Sequence, residues 1–232
     1  MKILEAQGIY KKYFKEQALS GINITVESGK IVGLLGPNGS GKTTFLKLLA
    51  GLVKPSAGSI KICGEEIGWH SRELVAYLPD NDYLYPWMKI ADAKKVYASF
   101  FRDFNSEKFD SLLEFMKLKE EMSVKSLSKG MAEKLALALT LARDAKLVIL
   151  DEPLNGVDPK AREQILKAIL KGFNYESSIV LASHHIQEVE QILDEVHFLD
   201  SGNVILSGNT EDIRNEKKMS LDEVYREVLY VD

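Results

Sequence analysis

The sequence predicts an α/β fold: a largely parallel sheet with helices on both faces, an antiparallel β subdomain beside it and an inserted helical lobe. Three observations carry this. The short apolar runs Ile31–Leu35, Leu147–Leu150 and Ile179–Ala182 are continuous, as in strands buried on both faces, and each leads into a helical pattern. Strand and helix repeated in this way imply parallel pairing, with ligands gathered at the C-terminal ends of the strands. Ahead of and between them, Ile3–Ile9 and Ile22–Val26 alternate, and Ser59–Cys63 follows the turn signal Pro55–Gly58, which together make the antiparallel layer. From about Tyr83 to Met122 the period becomes helical, with Val96, Phe100, Phe101, Phe109, Leu112, Leu113 and Phe115 among polar residues. This stretch, about 83–126, is the inserted lobe.

Later in the chain, Val196–Leu199 and Val204–Leu206 flank the turn residues Ser201, Gly202 and Asn203, a hairpin signal. Short helical segments then form a C-terminal extension over about 208–232. One domain, 1–232, accommodates all of this, because a single core still organises a chain of 232 residues.

Composition narrows the function classes. Apolar residues at 45% and charged residues at 28% describe a globular chain with a sizeable core rather than a disordered one. A net charge of −4 with both signs interspersed offers no basic footprint for nucleic acid. Cys63 has no second cysteine to pair with, so a buried, inert thiol in a reduced compartment is expected. The N-terminal MKILEAQGIY lacks the apolar core of a signal peptide, and no window approaches the roughly 20 apolar residues that span a bilayer. The expected location is cytoplasmic.

Chemistry enters after the first buried strand. Gly36, Pro37, Asn38, Gly39, Ser40, Gly41, Lys42 and Thr43 satisfy G-x-x-x-x-G-K-[ST] between that strand and the helical run Thr44–Leu49, whose first residue completes the nucleotide-binding set. Glycine lets successive backbone N–H groups turn inward around phosphate oxygens, and the helix presents its positive end to them. Lys42 places a point charge at the β and γ phosphates, and the Thr43 hydroxyl ligates Mg²⁺. The fold is therefore that of a P-loop NTPase.

The second buried strand runs into Asp151 and Glu152. Successive strand residues point to opposite sides, so one carboxylate serves the metal while its neighbour serves an attacking water. Asp151 suits Mg²⁺, and Glu152 suits a general base for in-line attack on the γ phosphate.

Between these motifs lies Leu127-Ser128-Lys129-Gly130-Met131, leading into a helical pattern through Leu135, Leu139 and Leu141. It resembles the Leu-Ser-Gly-Gly-Gln signature of ATP-binding cassette (ABC) proteins, with Leu127, Ser128 and Gly130 matching and Lys129 and Met131 departing. The resemblance extends over nearly the whole chain: Tyr13 is similar to the aromatic residue that stacks on adenine, Asn155-Gly156-Val157-Asp158 to the D-loop, and His184 to the switch histidine. It implies an ATPase using ATP and Mg²⁺ as the nucleotide-binding subunit of a transporter, held on the inner face of the cell membrane by a separate integral-membrane permease. It further implies a dimer with a second nucleotide-binding subunit, an identical or a different chain, in which Ser128 and Gly130 of one subunit meet the γ phosphate bound by the other. Asp80 stands where the family places the glutamine that touches Mg²⁺, so a metal role is expected for it.

Several residues carry a second reading. Ser128 equally suits an ordinary helix N-cap, and Tyr13 an ordinary hairpin tyrosine. Lys129 is expected to point into solvent, and His185 to begin the next helix. Tyr83, Tyr85 and Trp87 either dock the membrane subunit or pack within the lobe. The rival function, a soluble ABC ATPase acting on ribosome or nucleic acid, is opposed by the short lobe, the single cassette and the missing basic patch.

Overall fold

The computed structural model describes residues 1–80 and 84–229. A long hairpin of β1 (Lys2–Tyr13) and β2 (Glu16–Glu27) leads to β3 (Ile31–Leu35) and α1 (Lys42–Leu49). After β4 (Ala57–Ile62), the two-residue β5 (Glu65–Glu66) and α2 (Trp69–Glu73) comes β6 (Val75–Leu78). The lobe holds α3 (Ile90–Phe100) and α4 (Ser106–Phe115) and closes with a 3-10 turn at Val124–Ser126. Next follow α5 (Lys129–Leu141), β7 (Leu147–Asp151), α6 (Pro159–Gly172), β8 (Ser178–Ser183) and α7 (Ile186–Val189). The chain ends with β9 (Glu195–Asp200), β10 (Asn203–Asn209), α8 (Thr210–Lys217) and α9 (Leu221–Leu229).

Two sheets result. The larger has the order β10-β9-β3-β8-β7-β6, parallel throughout except for the edge pair β9 and β10. The smaller is antiparallel, in the order β2-β1-β4-β5. Residue alternation divides the core between the two faces of the larger sheet. Val32, Leu34, Leu147, Ile149, Val180 and Ala182 face α1 and the antiparallel sheet. Ile31, Leu35, Val148, Leu150, Ile179 and Leu181 face α5, α6 and the lobe.

The expected strands are all present, and two features differ from expectation. β6 was not foreseen as a strand: four residues are too few for a periodic signal, and it exists because Val75–Leu78 pairs in register with Leu147–Leu150. Cys63 lies beyond the end of β4, in a turn with φ 51°, and is half-buried rather than buried. Tyr83 lies outside the described residues. The C-terminal segment is part of the core: Leu221 and Val224 of α9 are buried, and Tyr225 packs on Phe198 of β9 at 5.1 Å between ring centroids.

The lobe is fastened to the sheet by Arg143. Its guanidinium donates to the carbonyls of Val75 and Glu73 at 2.7 and 3.0 Å, pairs with Asp103 and lies over the Phe101 ring. Arg143 thus satisfies the first carbonyl of the edge strand β6 and the last carbonyl of α2 just before it.

His197 is buried in β9, with Nδ1 2.7 Å from Ser207 Oγ and Nε2 unpaired among the described residues. Burial disfavours the imidazolium and pushes the histidine down to about 4 from 6.5. The unfolded chain therefore takes up a proton that the folded chain refuses. Stability from this residue is complete above pH 6.5 and is lost as pH falls from 6.5 towards about 4, amounting to roughly 2 kcal/mol by pH 5. His197→Leu is expected to flatten the fall in thermal midpoint between pH 7 and pH 5; thermal denaturation at the two pH values checks this.

Candidate nucleotide site

Strand β3 delivers the chain to the loop 36–41, and α1 begins immediately after it. Gly41 caps that helix with φ 106°, and the first turn carries no acidic residue, so the helix end keeps its positive character. Neighbouring backbone presses on the loop from outside. A Cβ on Gly36 would lie 2.1 Å from the carbonyl oxygen of Leu199, and one on Gly41 would lie 2.7 Å from that of Ala18. Ser40 Oγ is buried beside Gly36, without a hydrogen-bond partner among the described residues.

Lys42 is buried, and its ammonium donates to the carbonyls of Gly36 and Pro37 at 2.8 and 3.0 Å. These bonds fold the side chain back over its own loop. The same ammonium lies 3.3 Å from Glu152 Oε1.

Strand β7 supplies the acids. Alternation puts Asp151 on the Ile149 side of the sheet, towards α1, where its Oδ1 accepts from the Thr43 hydroxyl at 3.0 Å. Its Oδ2 accepts from the phenol of Tyr77 at 3.2 Å. Burial raises the pKa of Asp151, and the two hydrogen bonds act against that rise. The Tyr77 hydroxyl is pushed well above its ordinary value, by burial first and by Asp151 second, and stays a protonated donor. Thr43, Tyr77, Asp80 and Asp151 line one cavity of about 350 Å³. Its oxygen donors match the preference of Mg²⁺ for hydroxyl and carboxylate oxygens.

Glu152 turns the chain out of β7 with φ 52°, a left-handed conformation uncommon for a side chain of this size. Its amide donates to Ala182 of β8, and its Oε2 receives the backbone N–H of His184 at 3.2 Å and stands 2.8 Å from His184 Nδ1. The strained turn therefore aims a buried carboxylate between Lys42 and His184. His185 stands at the N-cap position of α7, its ring tilted by 39° against that of His184, 4.0 Å between centroids.

Other expected residues sit elsewhere. Tyr13 is exposed at the end of β1, with the Lys11 ammonium 4.7 Å from its ring centroid. Ser128 is the N-cap of α5 and accepts from the Met131 amide at 3.3 Å, while Gly130 is buried against Val157, Asp158 and Ala161. Lys129 is exposed, as expected, and its ammonium lies over Gly156, where a Cβ would approach it to 2.1 Å. The Asp80 carboxylate accepts from the Asn155 side chain at 3.1 Å. Tyr85 and Trp87 stack on each other and are exposed. Tyr77 was missed by sequence reasoning. No local signal marked it: pairing of β6 with β7 sets it level with Ile149, two positions before Asp151.

The sequence profile described as ABC transporter matches residues 19–155. The Nod factor export ATP-binding protein I of Ralstonia nicotianae is 33% identical, over 96% of this chain and 72% of that protein. An uncharacterized ABC transporter ATP-binding protein of a Nostoc strain is 34% identical, over 86% of this chain and 62% of its own length. A solved ATP-binding subunit of an ABC transporter superposes with a TM-score of 0.86 at 27% identity, covering 98% of this chain and 99% of that one. The cbiO1 protein of Clostridium perfringens, part of the cbiONQ transporter complex, gives 0.80 at 28% identity, covering 99% and 96%.

Gly36 and Gly39 separate space from backbone strain. Gly39 has φ 83° but nothing within 4 Å of a Cβ, so Gly39→Ala is expected to cost about 1–2 kcal/mol of stability. Gly36→Ala, with its 2.1 Å approach to a carbonyl, must displace β9 or the loop. Its expected outcome is a larger stability loss and at least a tenfold weaker affinity for ADP, read by denaturant unfolding and by calorimetric titration.

Proposed function

This chain belongs to the ABC transporter family, and on that premise we propose that it is the ATP-binding and ATP-hydrolysing subunit that powers a separate membrane permease. The observation that carries the hydrolytic part is Glu152, a buried carboxylate held between Lys42 and His184 where the phosphate loop meets the ends of β7 and β8. Gly36, Pro37, Asn38, Gly39, Ser40, Gly41 and Thr44 bind the phosphates through the loop and the helix end. Lys42 and His184 stabilise charge on the γ phosphate, and Glu152 takes the proton of the attacking water. Thr43, Asp151 and Asp80 would hold Mg²⁺, which when bound neutralises phosphate charge. Tyr13 would receive the adenine on the ring face not covered by Lys11.

The second half of the site would come from another copy of the domain. Ser128 and Gly130 stand at the N-terminus of α5, where the first amides of a helix favour an anion. Ser128 caps its own helix through the same end, so capping and phosphate binding are compatible. No helix among the described residues is long and apolar enough to cross a membrane, so attachment to the inner face of the cell membrane would run through the permease. Net charge of −4 gives no support to the rival reading of a ribosome- or nucleic-acid-bound ATPase.

Two outcomes follow. Glu152→Gln is expected to bind ATP while hydrolysing it about 10²- to 10⁴-fold more slowly, the usual contribution of a general base, and to accumulate as a closed dimer. Phosphate release and light scattering check this, and near-wild-type turnover would refute the assignment. In the wild type, turnover per chain should rise with protein concentration in the range where monomers pair; a constant value across a monomeric series would remove the shared site.

A further inference from the structure

We propose that Tyr77 is a positioning residue for the cation corner, its phenol fixing the Asp151 carboxylate in the orientation that serves a divalent ion beside Thr43. This deepens the function proposed above and rests on it.

Asp151 is fully buried, so each carboxylate oxygen needs a donor from the protein. Oδ1 has the Thr43 hydroxyl from α1 at 3.0 Å, and Oδ2 has the Tyr77 hydroxyl from β6 at 3.2 Å. Two donors from different elements hold both oxygens, which stops rotation of the carboxylate about its last bond. Thr43 is itself assigned to the cation, so the Tyr77 bond is the one free of any other duty. The Tyr77 ring is half-buried and packs with the core under the antiparallel sheet, while its hydroxyl faces the cavity shared by Thr43, Asp80 and Asp151. Partners of metal-ligating carboxylates that act in this way typically change metal affinity 10- to 100-fold when removed.

Tyr77→Phe keeps the ring and removes only the hydroxyl. Mn²⁺ binding in the presence of ADP is read by electron paramagnetic resonance, and ADP affinity is measured separately in EDTA. The expected result is an Mn²⁺ dissociation constant raised by about tenfold, with ADP affinity in EDTA unchanged. Unchanged Mn²⁺ affinity would overturn the proposal. So would an equal loss of ADP affinity in EDTA, which marks a packing role alone. Wild-type protein that binds no ADP under either condition would instead bring down the proposed function, and this inference with it.

Discussion

Two adjacent carboxylates buried at the end of one strand set the constraint on which the rest of the site depends. Asp151 and Glu152 are both nearly inaccessible, and an ionised acid in that position is costly unless hydrogen-bonded and paired. Strand alternation sends Asp151 to the α1 side, where Thr43 and Tyr77 meet it. The left-handed turn at Glu152 sends the second acid to Lys42 and His184. Satisfying both acids thus requires the start of α1 and the ends of β6 and β8 to lie at one level. Parallel pairing in register provides that level: Leu150 lies opposite both Leu78 and Leu181, and Leu35 opposite Ser183.

The loop and the acids brace each other. Lys42 crosses the inside of the loop to reach Glu152, while β9 and β2 close its outside through the Leu199 and Ala18 carbonyls. Movement of any of these elements would open the cradle or unpair a buried charge. The position of β6 matters for the same reason, and Arg143 ties its first carbonyl, and that of Glu73 before it, to Asp103 at the base of the lobe. The lobe is therefore anchored on the same strand that carries Tyr77 and leads to Asp80.

Departures from the family pattern acquire contacts in the fold. Lys129 rests on Gly156, a glycine with φ 67° whose missing Cβ leaves room for the ammonium. Asp80 receives Asn155 from the same loop. The signature segment and the segment after β6 are thereby both joined to residues 155–158, which lie between the acids of β7 and the start of α6. Three motifs scattered over the sequence form one surface around that short loop.

What the sequence by itself determined was local. The loop 36–43, the continuous apolar runs and the Asp-Glu end of β7 were legible because each depends on neighbours a few residues away: glycine for the turn, β-rich apolar runs for buried strands, alternation for the two acids. The similarity to ABC proteins was legible for the same reason, as an ordered set of short motifs. Tertiary structure alone decided which groups meet across distance. Four residues at Val75–Leu78 hold no period by themselves, yet pairing with β7 makes them a strand and brings Tyr77 to an acid 74 positions later. Likewise only packing places the exposed Lys129 ammonium over Gly156. Local conformational preference is written in adjacent residues, whereas satisfaction of a buried charge depends on which distant donors the packed sheet brings within about 3 Å.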